Sequence, residues 1–300
     1  DKIAEIAVET KELVYANRYG QLFWSEPRGR FAGYKWPQFS IHRGKFQMLL
    51  WEEALKAIGK ENLFTNAHLT SFEQDDKEVR VQFVNKQTGE NWPIEHGDVL
   101  IGADGIHSEL RKILYPNEGG VVYSVNVLYR GTTKMKGYLT GASMAMIGSL
   151  RQKMVIYPIV NSLDSEGNQL VNWVGNLKMG EEGQLTVRDW NRQADKNRLM
   201  EIYKNWQFDW INVHEMIANA ESIYEFPMSD RDPLDKWSFG RVTLLGDAAH
   251  PMLPHLGQGA NQSIEDGMAL ATILSQVSNA DVLAALVAYE RLRRERVADV

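Results

Sequence analysis

Residues 246–262 read Gly246-Asp247-Ala248-Ala249-His250-Pro251-Met252-Leu253-Pro254-His255-Leu256-Gly257-Gln258-Gly259-Ala260-Asn261-Gln262, directly after the apolar run Arg241 to Leu245. That run has the pattern of a buried strand, so Asp247 is delivered at a strand's carboxyl end, where α/β folds bind ligands. An ionised aspartate there accepts hydrogen bonds from a ligand's hydroxyl groups. Gly257 and Gly259 let the backbone approach a flat ligand. A helix predicted from about Gln262 to Val277 points its free amides and positive dipole end at the same place, which suits a group that gains negative charge. A plain strand–turn–helix junction needs fewer special residues than this stretch supplies.

Two further stretches echo it. Asp98-Val99-Leu100-Ile101-Gly102-Ala103-Asp104-Gly105-Ile106-His107-Ser108-Glu109-Leu110-Arg111 again ends an apolar strand in a carboxylate and a glycine. Read alone, it is also an ordinary strand, turn and helix with Ser108 as the N-cap and the helix running to Leu114. Ser40-Ile41-His42-Arg43 enters a helix predicted over Phe46 to Ile58, whose Phe46, Leu49, Leu50, Ala54, Leu55 and Ile58 share one stripe, with Gly59 as its stop. An arginine ahead of a helix can clamp a phosphate together with the helix amides. A solvated arginine is the plainer account of Arg43 taken alone.

Around these stretches the chain predicts an α/β protein with a different middle. Strands are expected over Ile3 to Val8, Gln21 to Trp24, Leu69 to Glu73, Val79 to Val84 and Val99 to Ala103. From Val121 to Met228 the sequence turns rich in Tyr, Trp, Met and β-branched residues, with strands at Val121 to Arg130, Ser143 to Ile147, Lys153 to Ile159 and Leu170 to Asn176. A helix is expected over Asp189 to Ala220, with Trp206 and Trp210 on one face, and Asp281 is expected to cap a final charged helix. The division predicted is a discontinuous domain of residues 1–118 and 229–300 around an inserted domain of residues 119–228.

Composition narrows the function. The 300 residues carry a net charge of −6 and are 44% hydrophobic and 10% aromatic, which excludes global disorder and argues against a protein built around nucleic acid. Cysteine is absent, so disulfides, a cysteine nucleophile, zinc–thiolate sites and iron–sulfur clusters are excluded. No apolar stretch approaches the ~18 residues of a membrane span, and no leader is visible, so a cytoplasmic enzyme is expected. The first residue is Asp1 rather than a methionine, which reads as a start other than the gene's own.

Together the three stretches resemble the single-component FAD-dependent aromatic hydroxylases, the class A flavin monooxygenases of the p-hydroxybenzoate and salicylate hydroxylase family. Ser40 to Gly44, Gly102 to Ser108, Val171-Asn172-Trp173-Val174, Asp189-Trp190-Asn191-Arg192 and Pro227 to Leu234 resemble most closely the subgroup that contains 5-methylphenazine-1-carboxylate 1-monooxygenase. The resemblance implies a Rossmann-like FAD-binding domain of the p-hydroxybenzoate hydroxylase type, an inserted mixed-sheet substrate domain and an active site where the two meet. It implies FAD as cofactor, NADH or NADPH as co-substrate, and O₂ with a small aromatic or N-heteroaromatic substrate. It assigns Arg43 to the ribityl or pyrophosphate part of FAD, Asp104 and Gly105 to FAD and productive nicotinamide binding, and Asp247 to the ribityl hydroxyls. Pro254 is assigned to the flavin's reactive edge, and Gly257, Gly259, Ala260 and Asn261 to the isoalloxazine ring. A homodimer is compatible with it, and nucleic acid and membrane are not expected as partners.

The sequence also departs from that family. The opening βαβ unit of ~30 residues with Gly-x-Gly-x-x-Gly is missing, so the chain is expected to be a member without its beginning. Two other readings are therefore kept: a flavoprotein of related fold acting as a reductase or dehydrogenase, and an inactive truncated fragment. No catalytic acid or base is marked out by spacing. Met144, Met146, Tyr157 and Trp173 are candidates to floor an aromatic pocket, with core packing as the alternative, and His255 is a further candidate near the substrate. His250 and His255 do not make a metal site, because no third ligand stands at a suitable spacing. Glu265-Asp266 reads as a first-turn charge pair, and Arg291, Arg293, Arg294 and Arg296 as a solvated helix face.

Overall fold

A computed structural model describes residues 2–162, 164–178, 192–254 and 257–299. Its elements in chain order begin with α1 (Lys2–Ile6), β1 (Ala7–Glu9), β2 (Glu12–Ala16), β3 (Leu22–Pro27), β4 (Phe39–Ile41) and α2 (Arg43–Ile58). Next come β5 (Ala67–Gln74), β6 (Val79–Asn85), β7 (Glu95–Gly97), β8 (Leu100–Gly102) and α3 (Glu109–Leu114). The middle supplies β9 (Val122–Lys136), β10 (Ser143–Gly148), β11 (Gln152–Val160), β12 (Asn168–Lys178), α4 (Lys196–Ile202), β13 (Gln207–Phe208), β14 (Ile211–Asn212), α5 (Val213–Ala218) and β15 (Ile223–Asp230). The chain closes with β16 (Ser238–Phe239), β17 (Val242–Leu244), α6 (Gly259–Leu274) and α7 (Val282–Ala298).

The chain forms two compact units, residues 1–63 with 124–228, and residues 64–123 with 229–300. The first 63 residues, grouped by sequence with 229–300, thus pack in the unit of the middle segment. The reason is the strand pairing of β2 with β10, Glu12 to Ala16 against Ser143 to Ile147, in parallel. Sequence cannot show that pairing, because the partners stand 131 positions apart, as in the Ser143 hydroxyl's hydrogen bond to Glu12.

In the first unit a seven-stranded sheet runs β15-β9-β12-β11-β10-β2-β3. Alternation decides its faces. Ala145, Ile147, Met154, Ile156, Val171 and Trp173 point one way and are fully buried, packed against Leu199, Tyr203, Trp206, Val213, Met216 and Ile217. The expected long helix over Asp189 to Ala220 is instead two short helices with the β13–β14 hairpin between them, and residues 189–191 lie outside the described residues. Each helix has its own start, Asp195 accepting the Arg198 amide and Asn212 accepting the Glu215 amide, and Gln207 to Asn212 take the strand period instead. Trp206 and Trp210 therefore do not share a helix face; they flank Phe208 in a run of ring contacts. Ile3 to Val8 is likewise helix through Ile6 and strand from Ala7.

The second unit holds two three-stranded sheets, β16-β17-β8 and β5-β6-β7. β17 pairs β8 in parallel, with Leu244 opposite Gly102, so both strands deliver their following residues at one end. Val79, Leu110, Trp237, Val242, Leu244, Leu270, Leu286 and Tyr289 make the core between these strands and α3, α6 and α7. Helix α2, in the first unit, buries none of its residues, so its predicted apolar stripe is only half covered.

Candidate cofactor and substrate site

The second unit brings Asp104 and Asp247 to the same end of two adjacent parallel strands, which stand ~4.8 Å apart in any sheet. Asp247 follows β17 in a single tight turn begun by Gly246, whose φ of +61° suits glycine and whose Cβ, if present, would press on Ser263 Oγ at 2.8 Å. The Asp247 side chain is exposed and has no hydrogen-bond partner among the described residues. A Cβ on Gly259 would lie 3.8 Å from Asp247 Oδ1, so the carboxylate stands at the N-terminus of α6. Helix α6 begins at Gly259, earlier than expected, and its first helical bond is Gln262 N to Gln258 O at 2.9 Å. Gly259, Ala260 and Asn261 therefore form the helix's first turn rather than a loop, and their amides precede that bond. Gly257, at φ +65°, has open space on its Cβ side, and Pro254 accepts the Gly257 amide at 3.2 Å. His255 lies outside the described residues.

Asp104 is differently engaged. One of its oxygens accepts the Glu109 amide at 2.7 Å and the Leu110 amide at 3.3 Å, while Ser108 Oγ accepts the Arg111 amide at 2.9 Å. The aspartate thus serves the start of α3 and keeps its other oxygen for solvent or ligand. Gly105 takes φ +79° with open space around it. Among the described residues, the strand ends offer an unpaired carboxylate, two open glycine positions and a helix N-terminus without a side-chain cap. These features fit the polyhydroxyl chain and flat ring of FAD.

The turn after Asp247 is built on charge that the sequence did not reveal. Arg111 is fully buried and donates to the carbonyls of Ala248 at 3.2 Å and Ala249 at 3.1 Å, to Asp232 O, and to Glu118. Asp266 is also fully buried and accepts from His250 Nε2 at 2.5 Å, Arg293 Nε at 2.7 Å and the Gly246 amide at 3.0 Å. Burial pushes the Asp266 carboxyl up, but the bonds from His250 and Arg293 outweigh it and hold the group below the usual range. Asp266 is therefore not a first-turn dipole charge, and Arg293, 6% exposed and also bonded to Glu265 and Gln262, is not on a solvated face. His250 Nδ1 is buried without a partner among the described residues, and His250 lines a cavity of about 370 Å³ with Trp237, Met252, Leu253 and Gln258. Asp281 does stand at the head of α7, but its carboxylate accepts from Ser278 Oγ rather than capping the helix.

In the first unit, Arg43 opens α2 behind the N-cap His42, whose ring nitrogen accepts the Lys45 amide at 3.4 Å. Its guanidinium is exposed and unpaired among the described residues. Of the pocket candidates, Tyr157 and Met144 share the sheet face opposite the core: Ile156 pairs with both Ala145 and Trp173, and Tyr157 pairs with Asn172. Trp173 faces the other way. It is fully buried under Gly131, and its Nε1 donates to Thr133 Oγ1 at 3.1 Å, so it packs the core and floors no pocket. Which face of an alternating strand becomes core depends on where α4 and α5 settle, and sequence alternation leaves that open.

A protein-family model described as "FAD binding domain" matches residues 44–300. The chain belongs to the FAD binding domain family. It is 34% identical over 295 residues to the phenazine 1,6-dicarboxylic acid hydroxylase PhzS of Lysobacter antibioticus, covering 98% of this chain and 72% of that protein. It is 30% identical over 264 residues to the 6-hydroxynicotinate 3-monooxygenase of Bordetella bronchiseptica, covering 87% of this chain and 63% of that protein. Among solved structures, Klebsiella pneumoniae HpxO complexed with FAD and uric acid superposes with a TM-score of 0.76 at 24% identity, over 99% of this chain and 71% of that one. A salicylate hydroxylase substrate complex superposes with a TM-score of 0.76 at 22% identity, over 98% of this chain and 72% of that one. The expected fold class and cofactor family are thus shown, and the fold is that of FAD-binding aromatic hydroxylases. Among the described residues no helix is long and apolar enough to cross a membrane.

Proposed function

We propose that this protein is an FAD-dependent monooxygenase that hydroxylates an aromatic or N-heteroaromatic ring. The overall reaction consumes NAD(P)H, a proton and O₂, places one oxygen atom on the ring, and releases NAD(P)⁺ and water. The observation that carries this reading is 34% identity across 98% of the chain with a phenazine dicarboxylic acid hydroxylase, joined to the unpaired Asp247 at the head of α6.

The chemistry that bound FAD would supply is acceptance of hydride from the nicotinamide and activation of O₂. Asp247 would accept hydrogen bonds from the ribityl hydroxyls, and the amides of Gly259 to Asn261 would donate toward the edge of the ring system. Gly257 and Pro254 hold the intervening loop close to the ring. Asp104 and Gly105 hold the α3 end of the same strand pair. Arg43 keeps the role that the resemblance implies, toward the ribityl and phosphate part of FAD. Met144 and Tyr157 face the aromatic substrate. The division into a cofactor region of residues 1–118 and 229–300 and a substrate region of residues 119–228 remains part of this proposal.

The test is single-turnover product analysis of the purified chain with FAD, NAD(P)H and a panel of phenazine and pyridine carboxylic acids under ¹⁸O₂. The expected result is one labelled oxygen in a hydroxylated product. NAD(P)H oxidation with all the oxygen recovered as peroxide, or product formed without O₂, would refute it.

A further inference from the structure

The segment after β15, the turn that follows Asp247 and the last turn of α7 line a cavity of about 370 Å³ that lies wholly within the second unit. Its floor is formed by Leu234, Trp237, His250 and Val297, each less than a tenth exposed. Its mouth is formed by Pro233 and Ala298, both exposed, and by the half-buried Leu253 and Arg294. None of the residues assigned above to FAD or to the substrate ring lines it.

Size and chemistry narrow the occupant. An apolar cavity of ~150 Å³ holds one benzene-sized ring, so this one has room for a flat body of about two fused rings and a substituent. The walls are aliphatic and aromatic, with the His250 and Trp237 rings 5.0 Å apart at 32°, and Nε2 of His250 is already bonded to Asp266. The charged groups that face the cavity differ in what they can offer. Arg231 is committed, donating to the Ile106 carbonyl at 2.9 Å and to Glu118 at 3.0 Å. Asp230, its neighbour in the chain, accepts the Arg231 amide at 2.8 Å, and the two opposite charges offset one another. Arg294 is not committed. Its ion-pair partner Glu290 is 3.7 Å away, beyond hydrogen-bond reach, and the other Glu290 oxygen already accepts the amides of Trp237 and Ser238 at 2.9 and 2.8 Å. Among the described residues the Arg294 guanidinium makes no hydrogen bond. A guanidinium with free donors at the mouth of an apolar, aromatic cavity matches a carboxylate carried on a flat apolar body.

We propose that this cavity is a second binding site, for an aromatic acid of about two fused rings whose ring system fills the cavity and whose carboxylate meets Arg294. The site goes beyond the monooxygenase reading and does not depend on it, since it shares no residue with the contacts proposed there.

The experiment is calorimetric titration of the full chain with 2-naphthoate, 2-naphthamide and benzoate, followed by hydrogen exchange at saturation. Naphthoate should bind and slow exchange in the peptides covering 231–237, 250–253 and 290–298. Benzoate should bind at least about tenfold more weakly, because it leaves much of the apolar volume unfilled. Naphthamide should bind about two- to fivefold more weakly than naphthoate, the range of a solvent-exposed ion pair. Arg294→Gln should abolish that difference. Ala298→Trp, which plugs the mouth, should lower the affinity for both naphthyl probes at least about tenfold, with circular dichroism and unfolding midpoint unchanged. The absence of binding, or slowed exchange in the first unit alone, would overturn the proposal. So would second-unit protection that survives Ala298→Trp, equal affinity for benzoate and naphthoate, or an acid preference that persists in Arg294→Gln.

Discussion

Asp266→Asn should destabilise the second unit severely, and the structure sets the size of the effect. The wild-type carboxylate is fully buried and accepts three hydrogen bonds, from His250 at 2.5 Å, Arg293 at 2.7 Å and the Gly246 amide at 3.0 Å. Bonds to charged groups contribute ~1.5–3 kcal/mol each, so removing three outright would cost more than ~4 kcal/mol. Asparagine keeps one carbonyl acceptor, but it leaves the Arg293 guanidinium without its buried countercharge and turns an NH₂ toward donors. Breaking a buried ion pair from one side costs ~3–5 kcal/mol, and that is the expected loss here. The exposed Glu265 retains part of Arg293 and places the value toward the lower end. The assay is urea unfolding of the full chain, followed by hydrogen exchange of the peptides spanning Gly246 to Asp266, so that the second unit is read separately. Faster exchange should begin at Gly246 and spread through the turn carrying Asp247. Asp266→Leu combined with Arg293→Met should recover much of the loss, because no charge is then left buried alone. A loss below ~1 kcal/mol for Asp266→Asn, or a double variant worse than either single one, would refute the argument that the pair is a mutual countercharge.

Three other outcomes are expected. Asp247→Ala should weaken FAD binding about 10- to 100-fold with little change in unfolding midpoint, since the side chain is exposed and unpaired, and fluorescence titration with FAD checks it. Gly131→Ala should destabilise the first unit by ~1–3 kcal/mol, because the new methyl would meet the fixed Trp173 ring at 2.3 Å; a neutral result in thermal melting would show that the ring moves aside. Acid should weaken the second unit through two carboxylates. Asp266 and Glu118 both have folded proton affinities lowered, net of burial, by buried arginine or histidine partners, so their stabilisation is present above the ordinary values of 3.8 and 4.5. It is lost as pH falls through the lowered values, and Asp266→Asn should flatten that part of the stability-against-pH curve.

Much of the local geometry of the candidate site was legible because its signals are local. A strand ending in Asp247, the prolines after it, the glycines of 257–259 and the helix behind them are set within a few residues by backbone preference, and so is the strand ending in Asp104. The capping roles of Ser108 and of Gly59 are of the same kind. The helix over 189–220 failed where two local rules competed: the apolar spacing fits a helix, yet Asp195 and Asn212 each start one, and the alternating Trp206 to Asn212 run takes the strand period between them.

The sequence by itself determined the family and the elements proposed to carry the cofactor contacts, because backbone turns, strand ends and one helix N-terminus are set by local preference. Only the tertiary structure decided which charges are structural and which stay available. Asp266 finds Arg293 27 positions away, and Arg111 finds the carbonyls of Ala248 and Ala249 across 137 and 138 positions, whereas Arg130 finds no carboxylate among the described residues. Strand alternation assigns Trp173 and Tyr157 to opposite faces, but the docking of α4 and α5 on one of them is what makes that face core.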